Sequence, residues 1–183
     1  MKFSKGRTRF VFAFPLLGFV IKFPRMNLGS FFRLIRDIYR YGWENEKLTW
    51  LLDIDNEFSV KRLVLGGIRA NWFEWIVWRK THYKLLCPTW LSFFGLINVQ
   101  KYGEPLQHGK VNMCKTISEI TNGDSVRVGH GFESACNYCE RNGHVQMIDY
   151  GCRRLWPVIE KYHQEISRLT VQDCLREQAT GDD

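Results

Sequence analysis

The sequence predicts a mixed α+β fold, and three observations support that prediction. Hydrophobic residues make up 45% and charged residues 25% of the 183-residue chain, which are globular proportions and exclude a disordered tail, a collagen or a coiled coil. Short segments rich in Phe and Val are punctuated by Pro and Gly, as β-strands are. Other segments repeat apolar residues at helical spacing. With 13 Phe, 7 Tyr and 7 Trp, the chain has ample material for one hydrophobic core.

The apolar run near the N-terminus predicts a β-hairpin rather than a targeting segment. Basic residues precede the run, which covers 10–21, and this is the outline of a signal peptide. However, no small-x-small cleavage site follows the run, and it is too short to span a bilayer as a helix. Pro15 and Gly18 also interrupt it. We therefore expect strands over 8–14 and 19–23, joined by a turn.

Helices and one ambiguous segment are expected in the next part of the chain. Residues 31–41 repeat apolar side chains at helical spacing, with three arginines between them. A second short helix is expected near 46–52 and a turn over 53–56. Residues 60–65 are compatible with an edge strand or with the start of a helix. The arginines of the first helix are Arg33, Arg36 and Arg40.

Residues 68–82 predict a helix that carries an acid among apolar neighbours. Glu74 lies between the apolar positions of this helix, where a carboxylate needs a cationic partner. Strands are expected over 85–96 and 97–102, and a Gly-Glu-Pro sequence at 103–105 ends them. The rest of the chain predicts, in order, a short helix over 110–120, a turn over 121–125, a loop from 126, a turn at Asn142-Gly143, a strand over 145–148 and an amphipathic helix over 156–176, with a frayed end over 178–183.

Charge and cysteine content suggest a basic cytoplasmic protein. Lys and Arg number 26 against 19 Asp and Glu, so the formal charge is +7, which suits nucleotides, nucleic acid or anionic lipid but is also ordinary for a basic surface. The mean hydropathy of −0.28 argues against a multi-spanning membrane protein, and no transmembrane segment is expected. Six cysteines in a chain with this much apolar material are expected to be reduced thiols.

One segment carries most of the functional information. Residues 130–151 read HGFESACNYCERNGHVQMIDYG. His130-Gly131 opens the segment, Asn137 stands seven residues after the histidine, and Asp149-Tyr150-Gly151 follows the predicted strand. This arrangement resembles the catalytic and metal-binding loops of the protein-kinase-like phosphotransferases, in which a His opens the loop, an Asn follows, and a strand delivers Asp-Phe-Gly.

The resemblance implies a reduced two-lobed kinase-like fold that forms a single domain. A sheet-rich N-lobe would cover about 1–102 and a shortened helical C-lobe about 103–183, with a nucleotide between them. ATP and Mg²⁺ are the implied cofactors. Asn137 and Asp149 are the implied metal ligands, since Mg²⁺ prefers hard oxygen donors such as amide and carboxylate oxygens.

The order of parts upstream also matches the family. The sequence Phe19-Val20-Ile21-Lys22 resembles the strand that carries the phosphate-binding lysine, and Glu74 would be the acid that orients Lys22. The segment 97–103 resembles the strand that enters the adenine-binding hinge. The implied cofactor-binding residues are therefore Lys22 and Glu74 at the phosphates, and Val99, Lys101 and Tyr102, through their backbones, at adenine.

The chain also departs from the family pattern. Phe132 occupies the place of the catalytic Asp and cannot accept a proton, which leaves Glu133 and Asp124 as the candidate catalytic residues. The Gly-rich loop is nearly absent, since only Gly6 precedes the first predicted strand. An insertion of about 40 residues separates the lysine strand from the glutamate helix. The expected function is therefore a nucleotide-binding kinase-like protein, either an atypical phosphotransferase or a pseudokinase.

Two alternatives stay open. The first is an interaction or inhibitor protein, of a kind that a phage or mobile element encodes, which binds a host protein without catalysis. The second is a zinc-stabilised nucleic-acid-binding protein that uses Cys136, Cys139 and the basic helix over 31–41. Zinc and nucleic acid are the less favoured partners, because Cys-x-x-Cys is only half of a zinc site and no second such pair occurs.

Overall fold

The expected α+β composition is confirmed by a computed structural model, which describes residues 1–6, 8–25, 29, 32, 36, 39–40, 60–106, 113–128 and 131–175. In these residues the strands form a five-stranded and a three-stranded antiparallel sheet. The elements are β1 (Lys2–Lys5), β2 (Arg9–Phe14), β3 (Phe19–Pro24), α1 (Val60–Thr81), β4 (Thr89–Phe93), β5 (Ile97–Lys101), β6 (Glu104–Pro105), α2 (Met113–Ile120), α3 (Asp124–Val128), β7 (Tyr138–Arg141), β8 (His144–Met147), α4 (Trp156–Ile166) and α5 (Val171–Leu175).

The five-stranded sheet has the order β1-β2-β3-β5-β4. The predicted hairpin is present as β2 and β3, whereas β1, which the sequence analysis missed, pairs with the outer side of β2. Lys22 pairs with Val11 on one side and with Asn98 on the other, so these three side chains share one face. Phenylalanines cover the opposite face, where the Phe12 ring packs edge-on against Phe23 at 5.7 Å.

Helix α1 covers the face of the sheet that carries Lys22. It begins eight residues before the predicted start at 68, so 60–65 is helical and not an edge strand. Gly67 permits close packing here, since a Cβ at this position would lie 2.4 Å from the Thr8 carbonyl oxygen. The Asn71 amide donates to the Gly95 carbonyl at 2.9 Å, which ties the helix to the β4–β5 turn.

The helices after α1 and the small sheet β6-β7-β8 enclose the apolar core. The predicted turn at Asn142-Gly143 joins β7 to β8, as expected. The largest fully buried side chains include an aromatic group from the loop before β7 and others from β7, β8, α2 and α4. These are Phe132, Tyr138, Met147, Ile117 and Ile159.

Several predicted boundaries in the second half of the chain are wrong. The strand expected over 85–96 is shorter, since β4 covers only Thr89–Phe93. Before it, Leu86 forms an isolated bridge to Met147 of β8, and after it 94–96 form the turn to β5. Residues 104–105 form β6 instead of ending the sheet, and 126–128 belong to α3 instead of a loop. The helix expected over 156–176 is two helices, α4 and α5, since the chain turns after Ile166.

Some predicted features lie outside the described residues. These are the helix near 46–52, the turn over 53–56, most of the basic helix over 31–41, the start of the helix over 110–120, His130 and the end at 178–183. Among the described helices, none is both long enough and apolar enough to cross a membrane.

Candidate functional site

Lys22 and Glu74, which the sequence analysis assigned to one site, form a buried ion pair. Lys22 Nζ lies 2.9 Å from Glu74 Oε2, and the two side chains are 5% and 0% exposed. The same carboxylate oxygen accepts a hydrogen bond from the Asn98 amide at 3.1 Å. Alternation along β3 and the position of Glu74 on the inner face of α1 bring these groups together. Because each charge is buried, each depends on the other for compensation.

Arg9 is the member of this site that the sequence analysis missed. Its guanidinium donates to Glu74 Oε1 at 2.7 Å and to the Asn71 amide oxygen at 3.3 Å. Its other terminal nitrogen forms an ion pair with Asp149. Arg9 is only 5% exposed, which is rare for arginine unless it is paired. One guanidinium therefore connects the carboxylates of α1 and of the segment after β8.

Asp149 completes a group of two cations and two carboxylates. Lys22 Nζ also donates to the Ile148 carbonyl at 2.6 Å, which fixes the backbone immediately before Asp149. The Asp149 side chain is half-exposed, whereas the other three are buried. We call these four residues, Arg9, Lys22, Glu74 and Asp149, the charge cluster. Its formal charges sum to zero when every member is ionised.

The electrostatics of the cluster favour the ionised form of Asp149. Desolvation opposes ionisation, but the charges of Arg9 and Lys22 outweigh it and lower the pKa of Asp149 below its ordinary 3.8. Burial lowers the pKa of Lys22, and Glu74 only partly offsets that effect. The two carboxylates raise the pKa of Arg9 although burial opposes them, so its guanidinium stays charged.

Asn137 and Asp149, the two candidate metal ligands, lie on neighbouring backbone segments. The Ile148 N–H donates to the Asn137 carbonyl at 2.8 Å. The Asn137 side-chain amide donates to the Gly131 carbonyl at 2.6 Å, while its Oδ1 accepts a 3.8 Å contact from the Cys136 thiol. The oxygen donors fit Mg²⁺ by type. The pairing of Asp149 with Arg9 does not fit, because the guanidinium already occupies one carboxylate oxygen.

Both candidate catalytic acids are engaged in the helical region. Glu133 accepts hydrogen bonds from the Ser125 hydroxyl at 2.5 Å and from the Cys114 thiol at 3.0 Å. Asp124 accepts from Lys161 Nζ at 2.9 Å and from the Tyr162 hydroxyl at 2.8 Å, and these bonds lower its pKa. Neither carboxylate contacts a member of the charge cluster. The structure thus does not bring the candidate acids together with the other candidate residues.

Phe132, which the kinase resemblance sets in the place of the catalytic Asp, is part of the core. The Phe132 side chain is 1% exposed, and its ring packs edge-on against Tyr138 at 6.4 Å. Such a ring neither accepts a proton nor orients a hydroxyl group. The loop before β7 is therefore built for packing at this position.

The three candidate adenine-binding residues have backbone groups that the protein already uses. The Lys101 N–H donates to the Pro88 carbonyl at 2.8 Å, and the Tyr102 N–H donates to the Gly18 carbonyl at 2.9 Å. Val99 lies in β5 between Ile21 of β3 and Leu91 of β4. An adenine that accepts a hydrogen bond from Lys101 or Tyr102 must displace one of these bonds.

The cysteines proposed for a zinc site differ in their surroundings. Cys136 is exposed and lies 3.1 Å from the Ser134 hydroxyl, whereas Cys139 is fully buried against Gly103. Among the described residues, no three His, Cys, Asp or Glu side chains gather as metal ligands do. All six cysteines are free thiols.

Comparisons with known proteins do not identify a family for this chain. No family model matches the sequence, and no curated protein or solved structure matches it at a significant level. The function must therefore be inferred from the motif in the sequence and from the geometry of the charge cluster.

Proposed function

We propose that this protein is a nucleotide-binding pseudokinase with a reduced, two-lobed, kinase-like fold. The charge cluster is the observation that carries the proposal. Lys22 and Glu74 form a 2.9 Å pair, and Lys22 also bonds to the carbonyl of the residue before Asp149. These three residues are widely separated in the sequence, and the kinase resemblance assigns all of them to one phosphate-binding site.

The absence of phosphotransfer is proposed from four residues. Arg9 is paired with Asp149, which would otherwise be free to hold Mg²⁺. Phe132 is buried at the place of the catalytic acid. Glu133 and Asp124 are each bonded to neighbours in the helical region. No described carboxylate near the cluster is thus free to act on an acceptor hydroxyl.

Arg9 gives the proposed nucleotide site its distinctive chemistry. An arginine fork matches phosphate oxygens, so its charge can compensate a phosphate without a metal ion. A bound phosphate then competes with the Asp149 carboxylate for the same guanidinium. Nucleotide binding is therefore expected to be independent of Mg²⁺ and to be weakened by ionised Asp149.

Thermal unfolding with ATP tests this proposal. We expect millimolar ATP to raise the melting temperature equally with Mg²⁺ and with EDTA, and an Asp149→Asn variant to respond more strongly than the wild type. A ligand at 100 times its Kd stabilises a protein by about 2.7 kcal/mol, which for a chain of this size is a shift of roughly 5–10 °C. An Arg9→Gln variant should respond less.

Two results would contradict the proposal in different ways. A shift that requires Mg²⁺ and disappears in Asp149→Asn would indicate a metal-dependent kinase site, and the candidate phosphotransferase activity would then be assayed with labelled ATP. The absence of any shift would exclude a nucleotide site of useful affinity. Glu119→Gln, which removes an exposed carboxylate of α2 at a distance from the cluster, is the matched control for the loss of negative charge.

An interaction protein without nucleotide is the second candidate, and one observation favours it. The β4–β5 hairpin exposes neighbouring apolar side chains, of which Trp90, Leu91, Phe93 and Phe94 are 50–69% exposed. The Phe93 and Phe94 rings contact each other at 5.1 Å, and exposed apolar surface of this kind is typical of protein-binding sites. This candidate predicts no response to ATP in the same melting experiment. In either case, six free thiols suit the reducing cytoplasm, where we propose that the protein acts.

A further inference from the structure

A cavity that shares no residue with the charge cluster lies elsewhere in the helical region. It has a volume of about 670 Å³ and lies between the end of α1, the tip of the β7–β8 hairpin and the C-terminal half of α4. Cavities of this volume hold small molecules in many proteins.

The lining of this cavity is strongly cationic. Three permanent cations, Lys84, Arg141 and Arg168, line it from three different elements or connections. Three histidines add further nitrogen groups, and none of the eleven described lining residues is acidic. Glu140 lies next to Arg141 in β7 but is not part of the lining, because neighbouring side chains of a strand point to opposite faces. The histidines are His82, His144 and His163.

Contacts between the walls hold these groups in position. The Tyr83 ring stacks on His163 at 3.6 Å and on Trp156 at 5.9 Å, which fixes the end of α1 against α4. The Gln146 amide donates to the Lys84 carbonyl at 2.9 Å and accepts from Arg141 at 3.4 Å. Within the described part of the chain, no carboxylate lies within ion-pair distance of the three permanent cations.

We propose that this cavity binds a small ligand that carries two or more phosphate groups. Three cations that line one cavity without a carboxylate beside them give it a positive potential, and an anion of several charges neutralises that potential. The guanidinium groups present forked donors that match phosphate oxygens. The Tyr83 ring is already stacked within the protein and offers no surface for a nucleobase. Recognition therefore rests on the phosphates and not on an aromatic group of the ligand.

Calorimetric titration with tripolyphosphate tests the proposal. At constant ionic strength, we expect saturable binding to the wild type and an affinity at least about tenfold lower in Arg141→Gln and in Arg168→Gln. Lys80→Gln is the matched control, since it removes an exposed charge at the end of α1 outside the cavity. Its affinity should stay within about twofold of the wild type. Equal losses in all three variants would overturn the proposal, because they would show only a general effect of net charge.

The nature of the ligand is tested in the same experiment. Sulfate at equal concentration should compete at least tenfold less well than tripolyphosphate, and a doubly phosphorylated serine peptide should bind more weakly. Equal competition by sulfate would overturn a site for several linked phosphates. Tighter binding of the peptide would overturn a small-molecule site in favour of a phosphoprotein site.

The location is tested without any variant by NMR of the 21.7 kDa protein. Tripolyphosphate should shift the amide signals of Lys84 and of 141–146, whether or not it also reaches the charge cluster and shifts those of Arg9 and Lys22. Shifts confined to Arg9 and Lys22 would assign the binding to the charge cluster and overturn the proposal. ATP itself carries three linked phosphates, so an ATP response that Arg141→Gln and Arg168→Gln reduce belongs to this cavity, whereas one that only Arg9→Gln reduces belongs to the charge cluster. Because the cavity and the cluster share no residue, the two proposals can fail separately.

Discussion

Glu74 is the residue on which the buried charges converge. Its two carboxylate oxygens bond to Arg9 at 2.7 Å and to Lys22 at 2.9 Å, and the side chain has no exposed surface. Removal of the negative charge leaves two buried cations with only part of their compensation. The loss of one partner from a buried pair costs about 3–5 kcal/mol, far more than the pair itself contributes relative to apolar groups.

A Glu74→Gln variant is therefore expected to lose about 3–5 kcal/mol of unfolding free energy. The amide keeps the shape of the side chain, so the change isolates the charge. Urea unfolding followed by circular dichroism measures this loss. Glu119→Gln should change the free energy by less than about 0.5 kcal/mol, since the Glu119–Lys115 pair is exposed. If both variants changed the unfolding free energy by similarly small amounts, other groups would have to compensate the charges of Arg9 and Lys22.

Asp149 predicts a specific dependence of stability on pH. Its pKa in the folded protein is below the ordinary value of 3.8, so its ionised form stabilises the folded state. That contribution is complete above the ordinary value and is lost as the pH falls through the lower folded-state pKa. Between pH 6 and pH 2.5, the unfolding free energy of Asp149→Asn should therefore fall less than that of the wild type. Parallel curves for the two proteins would contradict the ion pair with Arg9.

The sequence allowed prediction of three members of the charge cluster but not the fourth. Lys22 and Asp149 stand in local motifs of the kinase resemblance, and Glu74 is an acid among apolar neighbours on a predicted helix. Arg9 stands at the start of a Phe-rich strand, and its partners are defined only when β2 pairs with β3 and the segment after β8 approaches. The local sequence pattern does not show which distant residues Arg9 contacts in the folded chain. One signal for Arg9 was available in the sequence. In the predicted hairpin, Arg9 is a basic residue on the same face as the predicted phosphate-binding Lys22.

At the scale of elements, the β4–β5 hairpin depends on a glycine that contacts α1. Gly95 has a φ of +74°, and a Cβ there would lie 2.2 Å from the Ile68 carbonyl oxygen. Gly143 in the β7–β8 turn has a nearly equal φ of +78° but has open space around it. A side chain at either position therefore carries the same cost for the left-handed backbone. Only at Gly95 does it also clash with α1.

We expect Gly143→Ala to lose about 1 kcal/mol, the ordinary cost of a left-handed conformation, and Gly95→Ala to lose at least twice that. The additional loss arises because the helix must move away from the turn, which also disturbs the bond between Asn71 and the Gly95 carbonyl. Parallel chemical unfolding of the two variants measures the difference. Equal losses of unfolding free energy in the two variants would show that α1 shifts to accommodate the methyl group at no energetic cost.

A strand pair with regular alternation was predicted, whereas a helix break within a continuous periodic pattern was missed. The β2–β3 hairpin was found from its Phe-rich strands and its Pro-Gly turn. The break between α4 and α5 was missed because the apolar spacing of Ile159, Ile166 and Thr170 continues across it. In the structure, the Thr170 hydroxyl accepts from the Asp173 N–H at 3.3 Å, and Asp173 bonds back to the Thr170 N–H at 2.9 Å. The sequence Thr-x-x-Asp is a local signal for such a reciprocal cap and therefore for the start of a new helix.

Across the whole molecule, the interior is divided by polarity. Every fully buried apolar side chain among the described residues lies in α1 or C-terminal to it, and the five-stranded sheet contributes none. Between that sheet and α1, the buried side chains are polar or charged. They are Arg9, Lys22, Asn71, Glu74, Thr89, Ser92, Asn98 and Gln100. Apolar burial stabilises reliably by about 25 cal/mol per Å², whereas buried ion pairs and hydrogen bonds contribute little net free energy.

This division predicts that the sheet opens before the helical region does. Native-state hydrogen exchange at increasing guanidinium concentration measures the opening free energy of each amide. Amides of β2, β3 and β5 should exchange through an opening that costs less free energy than global unfolding, whereas those of β7, β8 and α4 should exchange only with global unfolding. Glu74→Gln should lower the opening free energies of both groups by a similar amount. Opening of the sheet and global unfolding both break the contacts of Glu74 with Arg9 and Lys22, which join α1 to the sheet. Equal opening free energies in both groups would show that Ile148 to Tyr150, which contact both parts, couple the chain into one cooperative unit in spite of its divided interior.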